Sequence, residues 1–379
     1  MRVKTFQGDS LDAVYQSISD LIAADFKPTL AIVFSSVSHD LGKLRQLLSS
    51  FNLDVYGATS AGEIVDDEVL EFSVGGMLLD LDKEDYKIIL KHTSDSNTFT
   101  ISKETAIESR NYFTNPAFIT LAGGIATDGE EIIRGFKAEM GEEVALFGGL
   151  AGDDLTTSGT TVFSNAEQSD NGLITLVINQ DHIEVGNIAA SGWESVGIEK
   201  TITKANGNIV YTIDGERALD VFIKYFGLST EIDATKEVIE AIGTQFPLQI
   251  QRPGKPSVLR TPLVGNEEDH SIIFAGTVPE GAKVKFSVSP GFEIIDLAVT
   301  KASTLKPRIP EADALILVSC KARHLALGPL VEEEIAGMRE LWDAPLVGFF
   351  SYGEIGIQES GTCDFHNETC SLIVLKSKK

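Results

Sequence analysis

The stretch VYGATSAGEI at residues 55–64 returns near the far end of the chain as LVGFFSYGEI at residues 346–355. The two share Gly57/Gly348, Ser60/Ser351, Gly62/Gly353, Glu63/Glu354 and Ile64/Ile355. A chain that writes an apolar strand followed by Gly-x-x-Ser-x-Gly-Glu-Ile twice is built from repeats, and this restricts its fold more than any other feature. The surrounding residues read as one unit: apolar strand, amphipathic helix, apolar strand ending in a glycine turn, then antiparallel strands. Copies run over residues 31–91, 117–188 and 314–379. They turn at Ala61-Gly62-Glu63, Ala151-Gly152-Asp153 and Tyr352-Gly353-Glu354. Residues 233–289 are expected to be a decayed fourth copy without the turn.

The runs Ala31-Ile32-Val33-Phe34, Ala117-Phe118-Ile119-Thr120-Leu121, Val144-Ala145-Leu146-Phe147 and Ala314-Leu315-Ile316-Leu317-Val318 read as parallel strands covered on both faces. Leu41, Leu44, Leu48 and Phe51 keep helical spacing, as do Val331, Ile335, Met338 and Leu341. Glu332, Glu333 and Glu334 suit the positive end of the second helix and read as a solvated face. Alternation at Val284, Phe286 and Val288 marks a half-buried antiparallel strand. Two hairpins are expected, 72–81 with 86–91 and 173–178 with 183–188. The fold class is α/β: internally duplicated mixed sheets, made of strand-helix-strand units plus antiparallel hairpins, flanked by helices in two packed halves. The halves divide as residues 1–225 and 226–379, between helices predicted at 215–226 and 231–246, with a proline-containing loop at 247–266.

Composition removes several function classes. A net charge of −25 repels nucleic-acid phosphates and anionic membrane surfaces. No apolar run approaches the length of a membrane span, and the first residues lack the apolar core of a secretory signal. Three cysteines make no disulfide framework. The expectation is a cytoplasmic protein.

The turns are the candidate site, because ligands of α/β sheets gather at the carboxyl ends of parallel strands. Ser60 and Ser351 offer hydroxyls, Glu63 and Glu354 offer carboxylates suited to a ligand amine, and Gly62 and Gly353 let a ligand approach the backbone. These turns are expected to converge on one cleft, with Asp153 and Asp154 at its edge. Gly57–Gly62 is one residue too long for a nucleophile elbow, which leaves a hydrolase using Ser60 or Ser351 as the weakest reading. Glycine-rich turns at residues 121–127 and 147–152 match no phosphate-binding pattern. Cys363, His366 and Cys370, with Cys320 or His324, superficially resemble a zinc site, against which Cys370 opens an apolar strand. His366 precedes the last strand and leaves two roles open, a haem ligand or a contact to an anionic ligand.

Taken together, VYGATSAGEI, FGGLAGDD, TTVFSN, GWESVG and the run at residues 203–227, followed by PLVGFFSYGEIG and FHNET, resemble the FIST family of bacterial sensory modules. The resemblance implies a FIST N-terminal domain over 1–225 and a FIST C-terminal domain over 226–379. It implies a non-enzymatic, stand-alone signal-transduction protein that binds an amino acid or related metabolite. Its output would pass to a separate partner such as a histidine kinase or a cyclic-dinucleotide enzyme. It also implies an alternative, a haem-binding nitric-oxide sensor. On this resemblance Ser60, Gly62, Glu63, Ser351, Tyr352, Gly353, Glu354, His366 and Asn367 lie near the ligand, with Asp153 and Asp154 outside them.

Overall fold

A computed structural model describes residues 1–22, 26–93, 97–124, 127–227, 243–289, 291–358 and 361–378. Its order of elements repeats three times. The first repeat is β1 (Arg2–Gly8), α1 (Leu11–Leu21), β2 (Leu30–Ser35), α2 (Leu41–Ser50), β3 (Asp54–Thr59), β4 (Glu63–Val65), β5 (Glu68–Leu70) and β6 (Val74–Asp80). The second is β7 (Tyr86–His92), α3 (Thr98–Ser109), β8 (Pro116–Gly123), α4 (Gly129–Met140), β9 (Leu146–Leu150), β10 (Val162–Ser164), β11 (Gln168–Ser169) and β12 (Gly172–Asn179).

The third opens with β13 (Ile183–Ala190) and is then interrupted by an insertion. The insertion carries β14 (Glu194–Asn206), β15 (Ile209–Ile213), β16 (Glu216–Arg217), α5 (Ala218–Phe226), β17 (Leu248–Arg252), β18 (Lys255–Arg260), β19 (Pro262–Gly265), β20 (Ile272–Phe274) and β21 (Lys283–Val288). The repeat resumes with α6 (Glu293–Ser303), β22 (Ala314–Cys320), α7 (Lys321–Leu327), α8 (Val331–Glu340), β23 (Leu346–Ser351), β24 (Glu354–Ile357), β25 (Cys363–His366) and β26 (Cys370–Ser377).

Local chemistry starts several of these helices where they begin. Ser10, Asp40, Asn97 and Asp128 each accept a backbone N–H of the following turn, which satisfies a donor that the helix cannot. The central strands pair in parallel, β2 with β3, β8 with β9 and β22 with β23, as their two-sided burial requires.

Each repeat builds four strands of its own sheet and gives the hairpin after its glycine turn to another. The sheet orders are β1-β6-β2-β3-β10-β11, β7-β12-β8-β9-β24-β25 and β13-β26-β22-β23-β4-β5. The second repeat's hairpin thus completes the first sheet, the third's completes the second, and the first's completes the third. The three sheets pack their inner faces into one apolar cluster that holds Phe34, Ile119 and Ile316. Phe34 and Phe349 stack there across two repeats, 4.4 Å between ring centres.

Four expectations are corrected. The strands at 74–80 and 86–92 form no hairpin, nor do 172–179 and 183–190. In each case the chain leaves one sheet and enters the next. The described part of 233–289 joins β14 and β15 in an antiparallel sheet ordered β18-β17-β21-β14-β15-β20-β19, and is not a fourth copy. It has no parallel pair and no glycine turn of the repeat. Glu334 is not on a solvated face. It is buried and holds the equally buried Arg323, whose Nε lies 3.0 and 3.1 Å from its two oxygens. Arg323 also donates to Ser191 O at 2.6 Å and lies over Trp193. Most of the helix expected at 231–246 lies outside the described residues.

The crossing points are close. A Cβ on Gly152 would lie 2.5 Å from Ala61 N and 2.8 Å from Ala61 Cβ. Gly152→Ala should therefore force two backbones apart and destabilise the fold by about 1–3 kcal/mol. A chemical-denaturation midpoint equal to that of the parent would show that the turns are not held this tightly.

Candidate functional site

The three glycine turns follow the carboxyl ends of β3, β9 and β23 and are bonded in a ring. Ala61 N donates to Phe350 O at 2.9 Å, and Phe350 N to Gly62 O at 2.9 Å. Gly152 N donates to Thr59 O at 3.0 Å, and Asp154 N to Ser60 O at 3.2 Å. Leu150 N donates to Gly353 O at 2.8 Å, and Tyr352 N to Leu150 O at 3.2 Å.

Within this ring the repeated Ser and Glu do one job twice. Glu63 accepts the hydroxyls of Ser60 and Ser73, the latter at 2.7 Å, and the Ser73 N–H at 3.2 Å. Glu354 accepts the hydroxyls of Ser351 at 2.5 Å and Thr369 at 2.8 Å. The serine stands at the end of the third strand, Ser60 one residue after β3 and Ser351 the last of β23, and the second hydroxyl stands just before the returning strand, β6 or β26. The carboxylate ties the turn to the strand that closes the repeat. Ser60, Glu63, Ser351 and Glu354 are fully buried. Burial raises Glu63 to about 7 and Glu354 to about 8, with the hydroxyl bonds opposing it.

The two carboxylates sit in separate networks rather than in one cleft. Asp154 acts on Glu63 through its charge, whereas Glu354 acts through its charge on Cys320 and Glu368. The second repeat has Leu150 in the serine position, and its Asp153 is held differently. It takes the Tyr352 hydroxyl and the Gly159 N–H, the latter at 3.1 Å.

Asp154 and Tyr352 lie at the half-buried edge of the ring. Asp154 accepts Ser36 Oγ at 2.6 Å and Val37 N at 3.3 Å, which joins the second repeat to the end of β2. Leu155 N donates to Tyr352 Oη at 2.9 Å. Asp154 (φ 55°), Leu155 (φ 59°) and Phe72 (φ 54°) hold left-handed backbone without being glycine, a strain that collects at functional sites.

Lys321 and His324, which open α7 directly after β22, belong to the same edge. Lys321 is buried, with its Nζ 3.2 Å from His324 Nδ1. His324 stacks on Phe350 with 4.0 Å between ring centres, and Glu71, Asp154 and Glu63 act on Lys321 through their charge. Three exposed apolar residues, Phe72, Leu155 and Leu325, directly follow Glu71, Asp154 and His324 in the chain. Sequence reasoning passed over Lys321. Its only signal was a cation one residue beyond a fully buried strand, where Ser36 and Gly124 stand in the other repeats.

His366 and Asn367 lie elsewhere, on the seam between the insertion and the third repeat. His366 is enclosed, with Nε2 3.2 Å from Gly356 O and Nδ1 3.4 Å from Gln358 Nε2. Asn367 Oδ1 accepts Thr261 N at 3.4 Å. Both imidazole nitrogens face protein partners, so these residues as they stand do not fit a haem. The cysteines do not converge. Cys363 Sγ points to Leu146 O and Cys370 Sγ to Ala190 O, in different apolar clusters. Among the described residues no three His, Cys, Asp or Glu side chains are placed to hold a metal. Carboxylates hold Ser60 and Ser351, and among the described residues neither has a histidine partner. No helix among the described residues is long and apolar enough to cross a membrane.

The sequence model of the FIST N domain matches residues 29–216, and that of the FIST C domain matches residues 218–357. No curated protein matches the chain. FIST domains are sensory domains of signal transduction that bind small ligands.

The buried carboxyls set a pH dependence. The native state keeps a proton on Glu63 and Glu354 that the unfolded chain releases near 4.5, so they favour folding at low pH and lose that contribution as pH rises through 7 to 8. His324 and His366, lowered by burial to about 4, act in the opposite direction below about 6.5. Thermal stability should therefore fall between about pH 6.5 and 8, by on the order of 1 kcal/mol per unit. Glu354→Gln should flatten the alkaline part of that fall. A slope unchanged in this variant would mean that Glu354 is ionised in the native protein.

Proposed function

The chain belongs to the FIST family, and from that premise we propose that it is a cytoplasmic sensor whose ligand, an amino acid or related metabolite, sits at the edge of the turn ring. The carrying observation is the meeting of Ser36, Asp154 and Tyr352, one from each repeat, under half-buried cover. Asp153 and Asp154 offer a ligand ammonium acceptor-only oxygens. Tyr352 and Ser36 add hydroxyls. Gly62, Gly353 and the clamps Ser60–Glu63 and Ser351–Glu354 hold the backbone that shapes the place. His366 and Asn367 hold the insertion seam behind it.

A ligand transmits a signal only by binding two states unequally. A molecule that bridges three repeats favours the state in which their turns are locked together, and a signalling partner such as a histidine kinase or cyclic-dinucleotide enzyme reads that state. The test is a thermal-shift screen of amino acids and their derivatives. A ligand at one hundred times its Kd adds about 2.7 kcal/mol. Asp154→Asn and Tyr352→Phe should each remove most of the shift and leave the ligand-free melting temperature within a few degrees. A hit whose shift survives both variants binds elsewhere. A sharp Soret band after hemin addition, lost in His366→Ala, would favour the haem reading instead.

A further inference from the structure

The residue that follows the central strand of each repeat is committed differently in the three copies. Ser36 donates to Asp154 at 2.6 Å, and Gly124 N donates to Thr160 Oγ1 at 2.7 Å. Lys321 makes one polar contact, to His324 Nδ1 at 3.2 Å, and its amine has no carboxylate oxygen within ion-pair distance among the described residues. It is 9% exposed, lies 5.5 Å from the centre of the Phe350 ring, and has the exposed Phe72, Leu155 and Leu325 on the adjoining segments. A buried lysine without an ion-pair partner, beside an imidazole and over an aromatic ring, is the arrangement of a nucleophilic amine.

We propose that Lys321 captures a small carbonyl compound as an imine, with His324 relaying the proton. The proposal rests on the reading of this edge as the ligand place. The Nζ lone pair attacks the carbonyl carbon, the C–N bond forms and the C=O pair moves to oxygen. His324 carries the first proton lost from nitrogen to the alkoxide oxygen and the second to the resulting hydroxyl, which leaves as water as the nitrogen lone pair closes the C=N bond. The product is a reversible imine, and no oxidant or reductant takes part.

Two observations select a neutral carbonyl over an anion. Glu71 and Asp154, joined by Glu63 as it ionises near pH 7, act on the amine through their charge and repel an anionic ligand. Burial nevertheless lowers the Lys321 pKa against these three charges, which enriches the neutral amine, and His324 is kept as the neutral base.

The test uses the full chain at pH 7 with limiting butanal and cyanoborohydride, and peptide mass mapping of every lysine over time. Lys321 should be alkylated at least about tenfold faster than the exposed Lys43 and Lys224. His324→Phe, which keeps the ring stack on Phe350, should slow Lys321 alone. Labelling of Lys321 no faster than of Lys43 and Lys224 in the parent protein overturns the proposal. Because that comparison is internal to the folded parent protein, it does not depend on any variant folding. If Lys321 is unreactive while Asp154→Asn still abolishes a ligand shift, the imine fails and the ligand place stands. If neither holds, both fail.

Discussion

Three short hairpins leave the sheet that precedes them and complete another, and the rest of the molecule depends on that exchange. Without it each repeat would present the open edge of its third strand, and an unpaired edge is a hazard. With it β3 is covered by β10, β9 by β24 and β23 by β4, so each repeat needs the other two. The central apolar cluster then forms from three inner faces at once, and the Phe34–Phe349 stack is one of its cross-repeat contacts.

The exchange explains why the sequence motif is written as it is. A chain that leaves a parallel strand and crosses to a neighbouring sheet needs a tight turn with backbone close against backbone, which Gly152 provides against Ala61 and Gly149 against Gly353. The turn must also be tied to the strand that returns. A glutamate accepting two hydroxyls does this at Glu63 and at Glu354. Burying an ionised carboxylate is costly, and the raised pKa values record that cost. The second repeat solves the problem differently. Asp153 there takes the Tyr352 hydroxyl of another repeat, and the freed geometry leaves Asp154 at the surface edge. Departure from the repeat is what makes a polar place in an otherwise closed ring.

The third repeat departs twice. Its insertion packs on β25 through Arg252–Asp364 at 2.8 and 2.9 Å and through Arg260, which reaches both Phe365 O and Glu130. His366, Asn367 and Glu368 are enclosed beneath that seam. Its central strand also ends at Cys320 and is followed by Lys321 and a short helix carrying His324, where the other repeats place small residues. The chemistry-bearing side chains therefore collect on the side of the ring where the third repeat meets the first two.

Much of this was legible in the residues. The apolar runs at 31–34, 117–121 and 314–318 dictate parallel strands because both faces are covered, and the recurrence of Gly-x-x-Ser-x-Gly-Glu marks the turns. The helix stripes at Leu44, Leu48, Ile335 and Met338 fix which faces go inward. What periodicity does not encode is the partner of a strand. Residues 72–81 and 86–91 read as a hairpin turning through acidic residues, yet the strands there belong to different sheets, because hydrogen bonds along a strand carry no label for which edge they meet. The same limit hid the function of single residues. Glu334 looks like a solvated acid until Arg323 is placed opposite it, and Lys321 looks like an ordinary cation until burial removes its water. The sequence by itself determined the repeats, the strands and the turns, since these follow from local sterics and hydrophobic spacing. Only the tertiary structure decided which turns interlock and which charges are left without partners, since both depend on groups far apart in the chain arriving at one place.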